Sequence, residues 1–546
     1  MSTPAPYPVQ PPPGEILLVN GRIHTDPGAG VPFSALAIAG SDVRGGGTRA
    51  EAEALVSSRA RVVDLAGRTV MPAFIESHTH YHRAAVLARC FLDFDTLAPE
   101  SVEEVLTLVA ARAVTLAADG WVQGDSLSAA RLAEGRWPDR HELDRAGGGR
   151  PVVLRGIGKH VVAASTSALA AAGIDAGTQD PAGGRIEREA DGTPSGILHE
   201  QAKLRLDQSH PATVVPTPGP AERRAALLDA TRDLHRMGIA TLHEMIRLPD
   251  EAGDWTALHA AGELGVRVRL FYRVHESSLD LGWLESLGIR RGLGDDWLKV
   301  LGVKISVDGF DIFRNAAVYE PYAGTGGTGL MRIEVPRLRD LVARANAQGL
   351  QVAVHAVGAR AVDVALDALE AAAPATAGPF RVEHAYVDTD ETHLRRILDL
   401  GAAWSTQPAF RTAYQREWAD VFPGPRREAL MPLALAEALG IPLLFNSDAP
   451  CAPVDPLGAI RAAVDPPGSW GPHARVSRVT AWRACTVNAA DAAGEPRLGR
   501  LAAGSLADLV VFDDDPLDPG TDLNGLTARG TMVAGRPKHG EAEVFA

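Results

Sequence analysis

The sequence predicts an α/β fold. A (β/α)8 TIM-like barrel spans residues 71–491, and both chain ends, residues 1–70 and 492–546, build a small β-sandwich accessory domain. Two observations predict this. Short β-branched runs alternate with Ala-, Leu- and Arg-rich helical stretches through the middle of the chain, the mark of repeated βα units. These runs number eight, which closes a barrel.

The elements follow in order. ILLVNGRIHTD, SALAIAGSDV and ARVVDLAGRTVMP are short β-type runs divided by Gly and Asp turns. ADLVVFDDDPLD and TARGTMVAGRPKHG repeat that texture at the other end, so the two ends are expected to share one sheet domain. The barrel strands are placed at TVMPAFIESHTH, GIATLHEM, VRVRLFYRV, LKVLGVKISV, QVAVHAV, FRVEHAY, GAAWSTQP and IPLLFNSD. The interval between the first and second, residues 84–225, is too long for one helix and loop. It is read as an insertion, and one placed after a barrel strand is expected to form a wall or lid over the catalytic face.

Composition narrows the function. A chain of 546 residues with 46% hydrophobic and 22% charged residues has material for a large core. A net charge of -14 argues against a nucleic-acid or anionic-membrane surface and favours a small-molecule partner. The opening MSTPAPYPVQPPPGE lacks the basic start and apolar stretch of a secretory signal, and no later stretch has the length of a membrane span, so the expected location is cytoplasmic. Cys90, Cys451 and Cys485 lie far apart without a CxxC pair, which argues against a disulfide framework or a thiolate zinc site.

Six residues carry the chemistry, each at the end of a predicted strand: His78, His80, Lys304, His355, His384 and Asp448. His78 and His80 lie two apart, so on a strand both imidazoles face one side and can hold one metal. His355 and His384 close the apolar runs VAVH and RVEH, where a buried imidazole must find a polar partner. With Asp448 they supply nitrogen and oxygen donors suited to zinc or a similar divalent ion, manganese, iron and nickel among them. Asp448 also suits a general base, because a metal-bound water needs an acceptor for its proton. A free Lys304 ammonium is a poor metal ligand. Carboxylated to a carbamate it becomes an anionic two-oxygen bridge, and the bland alternative pairs it with Asp308; residue chemistry leaves both open.

VMPAFIESHTHYH, VKISVDG, VAVHAVGARAVDVALDALE, RVEHAYV and NSDAPCAPVDPL together resemble the amidohydrolase superfamily, in the branch of N-substituted formamide deformylases and YtcJ-like metal-dependent hydrolases. The likeness runs nearly end to end. It implies His78, His80 and Asp448 on one metal, His355 and His384 on a second, and a carboxylated Lys304 between them, and two zinc ions are expected in these places. It implies homo-oligomers as well. The departures are local: Ala73 and Glu76 stand where relatives carry Gly and Asp, and Ala359 replaces an Asp that could accept a bond from His355. The segment DGFDIFRNAAVYEPY differs most, which makes Phe310, Asp311, Phe313, Arg314 and Asn315 candidates for substrate contacts. His160 and Glu200 of the insertion are further candidates, and Glu244 a candidate ligand substitute or substrate contact.

The expected function is hydrolysis of a non-peptide carbon–nitrogen bond in an amide or an N-acyl or N-formyl small molecule, by a metal-bridging hydroxide with Asp448 as general base. A deaminase or an isomerase or lyase on the same site is a second reading. A non-enzymatic regulator on a retired hydrolase scaffold is a third.

Overall fold

Eight strands run parallel in one sheet: β1 (Phe74–Thr79), β2 (Ile239–Ile246), β3 (Arg267–Arg273), β4 (Leu298–Ser306), β5 (Gln351–Gly358), β6 (Arg381–Val387), β7 (Ala403–Thr406) and β8 (Leu443–Phe445). Each pairs with the next in sequence. The first and last strands meet through Ser77 Oγ donating to Phe445 O at 3.3 Å and Asp448 N donating to His78 O at 3.1 Å. This is the barrel, in a computed structural model that describes residues 14–546 except 157–159, 208–211, 276–278, 373–379 and 469. The Pro-rich opening, residues 1–13, and residues 157–159 of the insertion therefore lie outside the described residues.

The helices between strands are amphipathic with a helical period. In Val335–Ala347, Leu338, Leu341, Val342 and Ala345 are buried, and in Ala359–Ala372 the buried set includes Val362, Ala365, Leu366 and Leu369. Gly302 lets β4 approach β5: a Cβ there would fall 1.9 Å from Gln351 O. That close register sets Lys304 opposite Ala353, two residues before His355. At the start of β3, Arg267 makes a bidentate pair with Asp508 at 2.7 and 3.0 Å, which ties the C-terminal segment to the barrel.

Both chain ends contribute to the accessory domain. Asp42–Gly47, Ala35–Ala39, Glu15–Val19 and Arg61–Asp64 form a four-stranded sheet. Arg22–Ile23, Thr69–Pro72, Leu509–Phe512, Gly530–Val533 and Arg536–His539 form a five-stranded one. Ile16, Leu18 and Val63 of the first share a core with Val70, Leu509 and Val511 of the second. One boundary differs from the sequence expectation. The run TVMPAFIESHTH holds two strands, because Thr69–Pro72 pairs antiparallel with Leu509–Phe512 and only Phe74 onward enters the barrel. Apolar residues continue across the break, so nothing in the pattern marks it.

Residues 82–227 form a separate unit. Its six-stranded sheet runs Gly184–Arg188, Pro194–Glu200, Val161–Ala164, Val152–Gly156, Val122–Leu127, Leu92–Asp93. Two clusters fill it, one around Val105, Leu143 and Leu154, the other around Val162, Leu169 and Leu198. Among the described residues no helix is long and apolar enough to cross a membrane.

Candidate metal centre

The six strand-end residues are buried or nearly so, and all six come together. His78 Nε2 lies 3.0 Å from Lys304 Nζ and 3.4 Å from Asp448 Oδ1, and His80 Nε2 lies 3.7 Å from the same oxygen. The His384 ring sits 5.2 Å from that of His78 and 4.5 Å from that of His355. His78, His384 and Asp448 each offer a ligand atom within 4.8 Å of the others.

Each imidazole is oriented through its other nitrogen. His78 Nδ1 donates to Glu383 Oε2 at 2.6 Å, His80 Nδ1 to Met245 O at 2.9 Å and His384 Nδ1 to Gln407 Oε1 at 3.0 Å. His355 is held the other way round, with Nε2 donating to Gly309 O at 3.0 Å. This fixes the tautomers, so Nε2 of His78, His80 and His384 and Nδ1 of His355 are the lone-pair donors. Buried His384 Nε2 has no hydrogen-bond partner among the described residues. An orphaned imidazole nitrogen among three others is what a metal would satisfy. The donor set therefore fits a divalent ion.

Burial, reinforced by the Lys304 charge, holds His78 well below the ordinary imidazole range and His384 at about 3. His80 and His355 are likewise well below it, from burial first and a neighbouring imidazole second. All four are neutral at physiological pH, the form that binds metal. Burial lowers Lys304 to about 8, and it raises Asp448 to about 6 against the pull of Lys304.

Backbone geometry explains how β6 contributes two adjacent side chains to one centre. Regular strands alternate faces, which would send Glu383 and His384 apart. His384 has φ +73° and Ala385 +47°, so the alternation breaks and both side chains reach His78. Among the six strand-end residues, Asp448, with φ +51°, is the other one in the left-handed region. Such strain persists only where the surroundings hold it.

Several residues gain definite partners. Asp308 does not pair with Lys304: its carboxylate accepts Val357 N, Gly358 N and Ala317 N at 2.9, 3.0 and 2.8 Å and lies 3.4 Å from His355 Nε2. Burial raises it to about 7, opposed by those three amides. The Gly309 carbonyl supplies the acceptor for His355 that Ala359 cannot. Glu76 Oε1 accepts Ser447 N at 2.9 Å, so the longer side chain ties β1 to the turn carrying Asp448. Glu244 Oε2 accepts Tyr81 N at 3.0 Å, just past the His pair. Trp404 is fully buried and donates to His384 O at 2.7 Å.

The loop candidates divide by chemistry. Asp311 is buried, accepting Tyr386 OH at 2.7 Å and Trp418 Nε1 at 2.6 Å. Arg314 pairs with Asp420, and Asn315 Oδ1 accepts Phe310 N at 2.6 Å. Phe310 is half-buried and Phe313 is 55% exposed. His160 and Glu200 belong to the unit of residues 82–227, where they pair with each other at 2.9 Å on an exposed surface.

Sequence reasoning missed Glu383, although it stands beside His384. Its Oε1 lies 2.7 Å from Arg381 Nε, and Arg381 donates in turn to Ser77 O at 2.7 Å. Arg381 and Glu383 thus buttress His78 from below. Glu383→Gln removes the charge that polarises His78 and leaves the buried Arg381 without its counterion. It is expected to weaken metal affinity about 10- to 100-fold, measured by chelator competition.

The chain is 27% identical over 541 residues to an N-substituted formamide deformylase of Arthrobacter pascens, covering 95% of this chain and 97% of that one. It is 29% identical over 493 residues to the putative amidohydrolase YtcJ of Bacillus subtilis (strain 168), covering 87% and 89%. Among solved structures, an uncharacterized metal-dependent hydrolase from Pyrococcus furiosus superposes with TM-score 0.75 at 26% identity, covering 92% of this chain and 100% of the other. The profile of the amidohydrolase family matches residues 61–539, a span that holds all eight barrel strands and all six strand-end residues, and the chain belongs to that family.

Proposed function

We propose that the protein is a metal-dependent hydrolase of a carbon–nitrogen bond outside peptides, acting on a small amide or an N-acyl or N-formyl amine. One observation carries the reading: four neutral, individually oriented imidazoles and a carboxylate converge at the ends of barrel strands, with His384 Nε2 unsatisfied. The Arthrobacter relative, described as acting on N-substituted formamides, supports the amide class. His78, His80 and Asp448 would hold one divalent ion, and His355 and His384 a second. Zinc suits these donors, and manganese, iron or nickel is compatible with them.

When bound, the ions supply Lewis acidity toward the carbonyl oxygen and a water that ionises near neutral pH. The rest falls to side chains. Asp448 accepts the proton of the attacking water and returns it to the departing nitrogen, so that the amine leaves neutral. Its burial favours the first half of that cycle, since a carboxylate raised to about 6 is a stronger proton acceptor than an exposed one and is still largely ionised at pH 7. Glu383 and Gln407 keep His78 and His384 aimed.

Lys304 is read as the carbamate bridge. Its lowered pKa raises the share of neutral amine, the form whose nitrogen attacks carbon dioxide. A nitrogen–carbon bond would form as one proton leaves to solvent, and the product would be an anion offering two oxygen donors. Labelled bicarbonate should give a carbamate carbon signal in the wild type and none in Lys304→Ala.

The deciding experiment is metal content per chain on chelator-free protein, with a screen of N-formyl and N-acyl amines. About two equivalents and turnover of a member of that panel are expected, and Lys304→Ala should fall to about one or fewer. Failure to take up metal even after refilling with zinc or manganese would overturn the reading.

A further inference from the structure

We propose that Phe310, Phe313 and Tyr414 form an aromatic subsite beside the metal centre that receives a neutral aryl group of the substrate. The inference rests on the hydrolase reading above and adds the substrate's chemical class.

The rings are bracketed by the centre itself. Gly309, which holds His355 through its carbonyl, immediately precedes Phe310. Tyr414 OH donates to Cys451 O at 2.5 Å, and Cys451 N donates to Asp448 O at 2.8 Å. Phe310 and Tyr414 lie 5.4 Å apart, nearly perpendicular at 78°. One ring is thus carried by the backbone that orients a histidine of the centre, and the other is tied to the turn that carries Asp448.

The cluster grades from core to solvent. Phe410 is fully buried and forms the floor, 5.9 Å from Phe310 and 5.0 Å from Tyr414. Phe310 and Tyr414 are half-buried above it, and Phe313, 6.1 Å from Phe310, is largely exposed. A single exposed aromatic needs no explanation, but contiguous rings carried on the segments that hold His355 and the Asp448 turn are a place for an apolar group.

The polar residues of the same loop decide what that group can be. Asp311 commits both oxygens to Tyr386 and Trp418, Asn315 turns back onto the Phe310 amide, and Arg314 is matched by Asp420. The loop therefore presents ring faces and edges without an uncompensated charge. A neutral aryl substituent meets such rings in edge or offset contact, whereas an ionic one would lose its water for nothing in return. Asp311 is a positioning residue here, fixing the turn on which Phe310 and Phe313 stand.

Two hydroxamates that bind metal identically test this: acetohydroxamate and phenylacetohydroxamate, titrated calorimetrically into the metal-loaded protein. The phenyl compound should bind at least about tenfold tighter, the gain from burying one ring. In Phe310→Ala that ratio should fall to about threefold or less, and Phe310→Leu, which keeps an apolar side chain of moderate size, should fall between. Because the ratio is taken within each variant, a change at the metals cancels. Equal affinity of the two compounds for the wild type, or a ratio unmoved by either substitution, would overturn the subsite while leaving the metal centre standing. Binding of neither compound would sink the metal-centre reading and the subsite with it.

Discussion

Asp448→Asn is expected to lower kcat by about 10²- to 10⁴-fold, the range for loss of a positioned general base. The substitution isolates the chemistry because asparagine fits the same backbone. Asp448 sits at φ +51°, a conformation asparagine adopts more readily than most residues. Its amide donates to His78 O and its carbonyl accepts Cys451 N, bonds that involve no side-chain atom. What disappears is the carboxylate, 3.4 Å from His78 Nε2 and 3.7 Å from His80 Nε2. The amide that replaces it cannot take a proton from water and is a weaker metal donor. Circular dichroism should be unchanged, and metal content, measured alongside kcat, separates the lost base from a lost ligand. His355→Ala should be equally inactive through loss of a nitrogen donor. Full activity in either variant would refute the assignment of the site.

How much of this was legible in the sequence follows from how far each partner lies along the chain. The strand-end residues were readable because each closes an apolar run, and a polar residue at such a boundary has a place to be and a reason to be there. Their orienting partners were mostly not. Glu383 stands next to His384, and alternation along a strand assigns them to opposite faces; only the positive φ at His384 brings them together, and periodicity carries no sign of it. Asp311, Arg314 and Asn315 read as polar loop residues offered to a substrate. Asp311 and Arg314 find their partners at Tyr386, Trp418 and Asp420, 75 or more residues away, while Asn315 folds back onto Phe310 locally. Loop polarity in a sequence shows which groups need partners, not which ones already have them. The split between Thr69–Pro72 and Phe74–Thr79 was hidden for a related reason: both strands are buried throughout, so the switch from accessory sheet to barrel leaves the hydrophobic pattern unbroken.

The loss of Asp308 should produce the largest effect on stability. Its carboxylate gathers the amides of Ala317, Val357 and Gly358, joining the loop after β4 to the end of β5, and it is fully buried. In Asp308→Ala those three N–H groups lose their acceptor where water has no ready access. At about 1–3 kcal/mol for each buried group left unsatisfied, the loss is on the order of 3 kcal/mol or more. Asp308→Asn keeps one oxygen but turns an NH2 toward amides that also donate, so it should be destabilised as well, by less. Thermal melting of the metal-free proteins reads the difference without help from bound ions. The alternative role, a counterion for Lys304, makes the opposite forecast: Asn would then be nearly as damaging as Ala, and Lys304→Met would rescue either one. A melting temperature unchanged in Asp308→Ala would show that the three amides find other acceptors and that the β4–β5 junction does not depend on this carboxylate.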